Sequence, residues 1–300
     1  MVLGVGSIHL FPGYTVIGVV LGGIYALAAI GLVLIYRVSG VLNFAHGAVA
    51  MFATFVAYQV SVKDGAPGWI GLIAAVAAGT AIGYVIERFT MRPLTGQPAL
   101  TKVVITIGWL LVLQTGAGLI WGSTAYHRPV QLVSRHGFKL WPTHVIVGYD
   151  QLTTVVVALV LALAVAAVLR WTVLGAQMRA VADDPQAAKL WGINVNRVTA
   201  ASWMTGSAIA AVAGVLITPL INFDNYSLTV VVIFAFGAAL IGRLTSLPGA
   251  VLGAVLLGLA EEYARLFSSK GGTGQLAVFV VLLLSLLIIF RPGAQKIRLA

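Results

Sequence analysis

Long apolar runs, each close to the length of a membrane-spanning helix, constrain the fold of this chain more than any other feature. The ~30 Å hydrocarbon core of a bilayer requires a helix of about 20 apolar residues. Helices are expected because lipid offers no partners to backbone N–H and C=O groups, and the alternating pattern of a closed barrel is not found in the sequence. Nine runs are close to this length, and they cover residues 14–36, 43–62, 68–88, 102–121, 151–170, 199–219, 228–244, 248–266 and 274–290.

The amino-acid composition also fits a chain surrounded by lipid. Hydrophobic residues account for 60% of the 300 residues and charged residues for 9%, whereas an ordinary soluble domain carries ~25% charged residues. We therefore predict an all-α, polytopic bundle of about nine transmembrane helices that forms a single domain over residues 1–300. A bundle of eight stays open as an alternative, because residues 37–47 (RVSGVLNFAHG) could form a re-entrant or broken segment instead of a plain turn.

The net charge of +10 does not point to a nucleic-acid partner. The 18 Lys and Arg residues are spread over short interruptions between apolar runs, whereas nucleic-acid-binding proteins concentrate them on one face or tract. When the loops are assigned in turn to the two sides of the membrane, one side carries twelve Lys and Arg residues and the other carries six. The side with twelve is expected to be cytoplasmic. This places the C-terminus inside and, with nine crossings, the N-terminus outside. The twelve are Arg37, Arg88, Arg92, Lys102, Arg170, Arg179, Lys189, Arg197, Arg243, Arg291, Lys296 and Arg298.

The predicted extracytoplasmic loop at residues 122–150 holds three of the five histidines. His127, His136 and His144 are separated by nine and eight residues, and these spacings match no short helical pair of metal ligands. Three imidazoles in one segment are a reason to consider a metal site, but solvated loop residues explain them better. We therefore predict no metal site in this loop.

The predicted cytoplasmic loop at residues 171–197 carries its own helix signals. Asp184 is a good N-cap, Pro185 suits the first helical position, and Gly192 is the residue type that ends helices. The pattern predicts a short helix over residues 185–191, preceded by another over residues 176–182. Two interpretations stay open from spacing alone: an interfacial helix in the lipid headgroups, or a knob that fits a groove on a cytoplasmic partner. The apolar positions are Ala187, Leu190 and Trp191, and the polar ones are Gln186 and Lys189.

Motifs in this loop and along most of the chain resemble one family of membrane proteins. QAAKLWGI, at residues 186–193, is similar to the EAA-then-glycine coupling loop of ABC importer permeases, in which a cytoplasmic helix docks on the ATPase. Further motifs resemble the branched-chain amino acid permeases of the LivH type, in the order of that family. They are GGIYALAAIGLVLIYRVSGVLNFAHG (22–47), MRPLTG (91–96), TIGWLLVLQ (106–114), IWGS (120–123), MRAVADDPQAAKLWGIN (178–194) and SLPGAVLGAVLLGLAE (246–261).

The resemblance implies a permease subunit of an ABC importer in the bacterial cytoplasmic membrane, translocating branched-chain amino acids. It also implies two cytoplasmic ATPase subunits, an extracytoplasmic substrate-binding protein and a second permease subunit, either a related chain or another copy. ATP and Mg would be used by the ATPases. This chain is expected to bind no cofactor, since its sequence lacks a G-x-x-x-x-G-K-[ST] phosphate loop. The implied ATPase-coupling residues are Asp184, Pro185, Gln186, Ala187, Ala188, Lys189, Leu190, Trp191 and Gly192.

Alternatives to this function stay open. Related permeases are expected to serve urea, short amides or aromatic acids. A secondary transporter working alone is another alternative, but ion-coupled carriers place Asp, Glu or His near the membrane midplane. Glu261 and Glu262 instead lie towards the outer end of the eighth predicted span, where ion pairing or solvation is expected. Enzymatic activity is not expected, because the sequence contains no H-E-x-x-H or G-x-S-x-G motif.

The sequence departs from the family pattern at three positions. Gln186 stands where Glu is usual in the coupling loop, which removes a salt bridge to the partner. In GRLTSLPGA, at residues 242–250, Arg243 and Thr245 replace expected glycines, so we predict no close backbone approach at this turn. An Arg at the bilayer centre costs ~2.5–3.5 kcal/mol, and Arg243 is therefore expected at a cytoplasmic helix end.

Polar residues inside the apolar runs are the candidates for a translocation pathway, because such residues are costly in lipid and are commonly functional. The candidates are Tyr25, Asn43, His46, Thr106 and Gln114. Asn43 has an alternative role as the cap of the second span, with His46 in its first turn. Gln114 has an alternative role in a hydrogen bond between helices.

Glycines four residues apart predict where helix backbones come close. Because the chain contains 34 glycines, this spacing also arises often by chance. We interpret the pairs as packing positions and not as binding sites. They are Gly18/Gly22, Gly79/Gly83, Gly118/Gly122 and Gly249/Gly253.

Overall fold

A computed structural model describes residues 11–122, 128–133, 136–140, 145–220, 224, 226–268 and 271–289. Single π-helical turns, Gln59–Lys63 and Ile86–Met91, extend the second and third helices. The α-helices in the described ranges are α1 (Phe11–Ser39), α2 (His46–Tyr58), α3 (Gly68–Val85), α4 (Ala99–Trp121), α5 (Tyr149–Trp171), α6 (Val173–Asp183), α7 (Pro185–Leu190), α8 (Val195–Ile217), α9 (Ser227–Ile241), α10 (Leu247–Phe267) and α11 (Thr273–Ile289).

Nine of these helices lie on the nine predicted apolar runs, and α6 and α7 are the two short helices predicted in the inner loop. Five helical segments are long and apolar enough to cross a membrane by length and composition, and two shorter apolar helices lie in the C-terminal third. The predicted helical membrane bundle is thus confirmed. The exact number of crossings stays a prediction, because α2, α9 and α11 have 13, 15 and 17 residues.

Helix α1 forms the centre of the bundle. It is buried along most of its length and packs against α5, α8, α9 and α10. Helices α2 and α3 also pack on α8. By contrast, α4, α5 and α11 expose large apolar side chains such as Leu119, Leu163 and Ile288. Exposed faces of this kind are expected where a helix contacts lipid, because lipid tails are as apolar as leucine.

Glycines let α1 and α10 approach each other backbone to backbone. A Cβ atom added to Gly22 would lie 2.7 Å from the Cα atom of Val255, and one added to Gly258 would lie 2.5 Å from the backbone nitrogen of Gly22. A Cβ atom on Gly18 would lie 3.0 Å from the Cα atom of Leu259. The predicted packing role of the Gly18/Gly22 pair is therefore confirmed, and Gly258 completes the contact from α10.

Of the other three predicted glycine pairs, two lie at close helix contacts and one contains a glycine that does not. A Cβ atom on Gly83 would lie 2.6 Å from the carbonyl oxygen of Trp203 in α8, and one on Gly253 would lie 2.9 Å from the Cβ atom of Ile241 in α9. Both pairs therefore mark close packing, as predicted. Gly122 instead ends α4 with a φ of +93°, and no described atom lies within 4 Å of its added Cβ. The packing prediction is wrong at Gly122.

The turn between α9 and α10 is tighter than predicted. A Cβ atom on Gly242 would lie 2.5 Å from the backbone nitrogen of Ala250, so the expectation of no close backbone approach is wrong. Gly242 itself makes the approach, while Arg243 and Leu244 adopt left-handed φ values of 54° and 57°. This conformation costs an L-residue roughly 1–2 kcal/mol. Arg243 does lie at a helix end, as predicted.

Contacts between helix ends define two ends of the bundle. Arg37 at the end of α1 and Arg179 in α6 line one small crevice with Leu247 at the start of α10. The Arg92 guanidinium, which follows α3, donates to a backbone carbonyl at the start of α8. We call this the basic end, since it collects residues from the predicted basic side. The first turn of α1 meets the last turn of α10 at the opposite end, through aromatic rings.

A small β-hairpin that the sequence did not predict lies between α4 and α5. Strand β1 (Gly137–Leu140) pairs antiparallel with β2 (Val145–Gly148). Of the three loop histidines, His136 precedes β1 and its carbonyl oxygen accepts from the backbone N–H of Tyr149 at 3.0 Å. His127 and His144 lie outside the described residues. Among the residues that the structure describes, no three His, Cys, Asp or Glu side chains form a group that could hold a metal ion.

Candidate translocation pathway and coupling helix

The connection between α1 and α2 runs deep inside the bundle. Helix α1 ends at Ser39, residues 40–45 are not helical, and α2 begins at His46. The Nε2 atom of His46 lies 3.1 Å from the carbonyl oxygen of Ala28, which is about 16 Å before the end of α1 at 1.5 Å per residue. The chain therefore returns into the bundle without helical structure. The broken-segment alternative for residues 37–47 is confirmed, and the plain turn is excluded.

His46 occupies a space that two glycines create. A Cβ atom on Gly31 of α1 would lie 2.8 Å from the Cε1 atom of His46 and 2.7 Å from the carbonyl oxygen of Gly206 in α8. Because a carbonyl oxygen can only accept, the hydrogen bond to Ala28 places the ring proton on Nε2. The neutral ring then has an acceptor at Nδ1, which is buried without a hydrogen-bond partner among the described residues.

Thr106 of α4 holds the broken segment in place. Its Oγ1 atom accepts a hydrogen bond from the backbone N–H of Phe44 at 3.2 Å and donates to the carbonyl oxygen of Val103 at 2.8 Å. This bond satisfies a backbone donor that lipid could not satisfy. Thr106 is fully buried, so its visible role is to anchor the segment, and its role in a pathway stays a prediction.

Asn43 does not cap α2. The N-cap position belongs to Ala45, and no side chain accepts a hydrogen bond from the first turn. The capping prediction is wrong because the helix begins three residues after Asn43, so its carbonyl oxygen and not its amide meets the N–H of His46, at 3.2 Å. The Asn43 side chain is buried, and both of its amide atoms lack a partner in the described part of the chain.

A buried ionic cluster joins α1 to α10. The Tyr25 hydroxyl donates to Glu261 at 2.6 Å, and the Arg265 guanidinium pairs with Glu261 and with Glu262, also at 2.6 Å. Both carboxylates are almost fully buried, whereas Arg265 is partly exposed. The pairing predicted for the two glutamates is confirmed, and solvation is excluded. Tyr25 precedes Ala28 by one helical turn, so this cluster and His46 lie at neighbouring levels on one face of α1.

Four of the five predicted pathway residues are thus near one another, and the fifth is not. Gln114 lies two turns beyond Thr106 on α4, about 12 Å along the helix axis. It is half-buried. Within the described residues it makes no hydrogen bond to the other four candidates or to a neighbouring helix, so its predicted interhelical bond is not found.

Helix α7 has the end signals that the sequence predicts. The Asp184 side chain accepts hydrogen bonds from the backbone N–H groups of Gln186 and Ala187 at 2.8 and 3.1 Å. Pro185 occupies the first turn, and Gly192 follows the helix with a φ of +80°. The preceding helix α6 is longer than predicted, because Thr172 caps it by accepting from the N–H of Gly175.

One face of α7 is attached to the bundle and the other is free of it. Ala188 is buried in a small apolar cluster with Leu34 and Val38 of α1, and the cluster also contains residues of α6 and α8. Leu190 and Trp191 are 89% and 87% exposed. Exposed apolar side chains of this size mark an interaction surface, either with lipid headgroups or with another protein. The geometry therefore connects a protruding apolar knob to the base of the central helix through this cluster, since α7 packs on α6 and α6 packs on α1.

One buried ion pair near the start of α8 was missed by sequence reasoning. Glu87 is buried and pairs with Arg92 at 2.9 Å, and Arg92 also bonds to the backbone of Asn196 at the start of α8. These partners are five residues apart, a spacing that an α-helix does not bring onto one face. The π-helical turn Ile86–Met91 does so. A π-helical turn leaves no reliable signal in one sequence.

The structure is an apolar helical bundle, and buried polar side chains lie beside its central helix α1. A short amphipathic helix protrudes from one end. This is the architecture of a membrane permease. Residues 14–290 match the family described as "Branched-chain amino acid transport system / permease component". The chain therefore belongs to this permease family.

Full-length relatives agree with the family match. The high-affinity branched-chain amino acid transport system permease protein LivH of Escherichia coli (strain K12) is 32% identical, over 93% of this chain and 96% of the relative. The corresponding protein BraD of Pseudomonas aeruginosa is 34% identical, over 92% of each chain. A chain of PsaBC from Streptococcus pneumoniae, solved in complex with Fab, is similar in fold with a TM-score of 0.54, 17% identity, and coverage of 95% of this chain and 93% of that one.

Proposed function

We propose that this chain is the transmembrane permease subunit of an ABC importer that carries branched-chain amino acids across the bacterial cytoplasmic membrane. The observation that carries the proposal is the match of residues 14–290 to the branched-chain permease family. Two cytoplasmic ATPase subunits, an extracytoplasmic binding protein and a second permease subunit complete the importer. ATP and Mg are used by the ATPases, and this chain contributes the path and the coupling surface.

The basic end of the bundle is cytoplasmic in this proposal, so the C-terminus is inside and the N-terminus outside. Lys and Arg are retained on the cytoplasmic side of membrane proteins. Arg37, Arg92 and Arg179 support this assignment, because they lie at the same end as α7. That orientation exposes α7 to the compartment that contains ATP.

The ATPase subunits act on the bundle through α7. Leu190 and Trp191 insert into a groove on an ATPase subunit, and Gln186 replaces the usual Glu without removing these apolar contacts. Movement of the ATPases displaces α7, and the apolar cluster that Ala188 shares with α6 and with Leu34 and Val38 of α1 transfers the displacement to α1. Because α1 is a continuous helix of 29 residues, the displacement reaches the level of the buried polar residues. Rigid-body motion of packed helices then alternates access between the two sides.

The proposal is tested first with the tagged chain isolated from native membranes. Nucleotide-binding subunits are expected to co-purify, and the reconstituted complex is expected to take up L-leucine, L-isoleucine and L-valine only when ATP is supplied. Uptake of urea, acetamide or benzoate in place of these amino acids would overturn the substrate assignment. Activity of the chain alone, without ATP, would show a secondary transporter instead.

The coupling surface is tested with a pair of substitutions and a matched control pair. Leu190→Ala with Trp191→Ala is expected to reduce ATPase association and ATP-dependent uptake by roughly tenfold or more, since anchor residues of this size each contribute ~1–2 kcal/mol or more. The control, Leu119→Ala with Ile120→Ala, changes two adjacent exposed apolar residues of α4 and is expected to leave both within twofold. Coupled ATPase activity that survives deletion of residues 184–192 would contradict the mechanism.

A further inference from the structure

The first turn of α2 presents unpaired backbone donors inside the bundle. The N–H groups of Gly47 and Ala48 have no acceptor in the described part of the chain, because the preceding residues are not helical and no side chain caps the helix. Both residues are buried. Buried N–H groups without a partner are rare in proteins, and lipid cannot supply one. The start of this helix therefore has two backbone N–H groups that could donate to a polar ligand.

Two side chains beside this helix start supply further unpaired groups, and they are an independent observation. Asn43 is 1% exposed, and its Nδ2 donor and its Oδ1 acceptor both lack a partner. The Nδ1 atom of His46 is a third unpaired side-chain atom, and in the neutral ring with its proton on Nε2 it is an acceptor. The unpaired groups therefore comprise three donors and two acceptors within residues 43–48.

The local charge favours an anion at this place. A helix N-terminus carries a partial positive charge and binds carboxylates through its free N–H groups. The first turn of α2 contains no acidic residue. The buried carboxylates of Glu261 and Glu262 are already paired with Arg265. The described residues therefore provide no internal carboxylate for the start of α2.

We propose that the start of α2, together with Asn43 and His46, binds the charged head group of a zwitterionic α-amino acid during translocation. The carboxylate accepts hydrogen bonds from the N–H groups of Gly47 and Ala48 and from Nδ2 of Asn43. The ammonium group donates to Oδ1 of Asn43 and to Nδ1 of His46. This inference rests on the proposed function, and it assigns a place inside the permease where the substrate's two charges are recognised.

The surroundings of the site fit the apolar part of such a substrate. A Cβ atom on Gly47 would meet the side chain of Val232 in α9, and the ring of Phe44 packs on that of Phe236 at 5.0 Å. These contacts supply apolar surface beside the polar groups. A branched aliphatic side chain lies against α9 when the head group is at the start of α2. Since Asn43 and His46 are buried here, the amino acid enters when α1 and α2 separate.

The test uses the complete importer in proteoliposomes and compares two substitutions. Asn43→Leu keeps the approximate shape of the side chain and removes both unpaired atoms. ATP-dependent uptake of L-leucine is expected to fall more than tenfold, while assembly with the ATPases is retained. The matched control is Ser207→Ala, which also removes an unpaired buried polar atom, at the contact between α3 and α8, and it is expected to change uptake less than twofold. Equal effects of the two substitutions would overturn the proposal.

A second measurement uses the unchanged protein and does not depend on how a variant folds. Millimolar L-leucine is expected to raise the Tm of the importer complex purified without its binding protein, because a ligand that binds the folded state stabilises it. Isoamylamine lacks the carboxylate and 4-methylpentanoate lacks the ammonium group, so neither is expected to do so. Stabilisation by either compound to the same extent as by leucine, or no stabilisation by leucine, would overturn the site.

The two experiments separate the site from the function on which it rests. A wild-type importer that does not transport leucine contradicts the proposed function itself. A wild-type importer that transports leucine, with Asn43→Leu as active as Ser207→Ala, leaves the function intact and removes this site.

Discussion

Replacing a glycine by alanine is expected to change the stability of this bundle in opposite directions at Gly258 and Gly108. At Gly258 a Cβ atom would collide with the carbonyl oxygen of Gly18 and would lie 2.5 and 2.8 Å from the nitrogen and Cα atoms of Gly22. All three are backbone atoms, so no rotamer change can relieve the contact, and α1 and α10 must separate. At Gly108, in the middle of α4, no described atom lies within 4 Å of the added Cβ.

The magnitudes follow from these two environments. Overpacking of this kind costs ~1–3 kcal/mol, and the better helix propensity of alanine returns ~0.8–1 kcal/mol. Gly258→Ala is therefore expected to destabilise the chain by up to ~2 kcal/mol, or by more if α1 and α10 cannot separate. At Gly108 the added methyl group meets no described atom, so only the better helix propensity of alanine counts. Gly108→Ala is therefore expected to stabilise the chain by ~0.5–1 kcal/mol.

The assay is unfolding of the purified chain in mixed micelles by titration with SDS, followed by far-UV circular dichroism and tryptophan fluorescence. The difference between the two variants is expected to be ~1–3 kcal/mol, because the gain in helix propensity is common to both, and their effects should have opposite signs relative to wild type. The reasoning is refuted if both substitutions shift the unfolding midpoint in the same direction. A stabilised Gly258→Ala would show that α1 and α10 do not touch through their backbones.

Three further predictions use the same chain. Arg243→Gly should be more stable than Arg243→Ala by ~1–2 kcal/mol in the SDS titration, because both lose the side chain and only glycine adopts a left-handed φ freely; equal stabilities would contradict the turn conformation. Asp184→Ala removes an N-cap worth ~1 kcal/mol, so the Gln186 amide should exchange hydrogen roughly five times faster in α7, and an unchanged exchange rate would argue against the cap. Tyr25→Phe removes a hydrogen bond to the buried carboxylate of Glu261 and should cost ~1.5–3 kcal/mol in the same titration, whereas a neutral effect would mean that the bond does not form.

The helices of this protein could be predicted from the sequence because lipid imposes one rule on every span. An apolar run of the required length has to satisfy its backbone internally, so each run becomes a helix whatever it packs against. Helix α7 could be predicted for a different reason. Asp184, Pro185 and Gly192 act through their own backbone geometry, which depends on local sequence alone.

The contacts that join distant parts of the chain could not be predicted in this way. Tyr25 and Glu261 meet because two antiparallel helices cross at glycines, and nothing local to either residue indicates the other. The buried position of Asn43 depends on where α2 starts. Polar residues just before a helix ordinarily indicate a cap, so the sequence alone favours that role. Arg243 adopts a left-handed conformation because the turn from α9 into α10 requires it, although its residue type predicts otherwise.

Gly31 of α1 and Gly206 of α8 meet backbone to backbone, since a Cβ atom on Gly31 would lie 2.7 Å from the carbonyl oxygen of Gly206. With no side chain between the two backbones, a tilt of α1 about this contact would move the parts of the helix on its two sides in opposite directions. Val38, which shares an apolar cluster with Ala188 of α7, lies about 10 Å to one side of Gly31, and Ala28 lies about 4–5 Å to the other. A tilt that moves Val38 by about 2 Å therefore moves Ala28 by about 1 Å in the opposite direction. The hydrogen bond from His46 to Ala28 is 3.1 Å long, and such a bond does not survive a further 1 Å of separation. A displacement of about 2 Å at Val38, directed so that Ala28 moves away from His46, would therefore break this hydrogen bond and free the imidazole of His46.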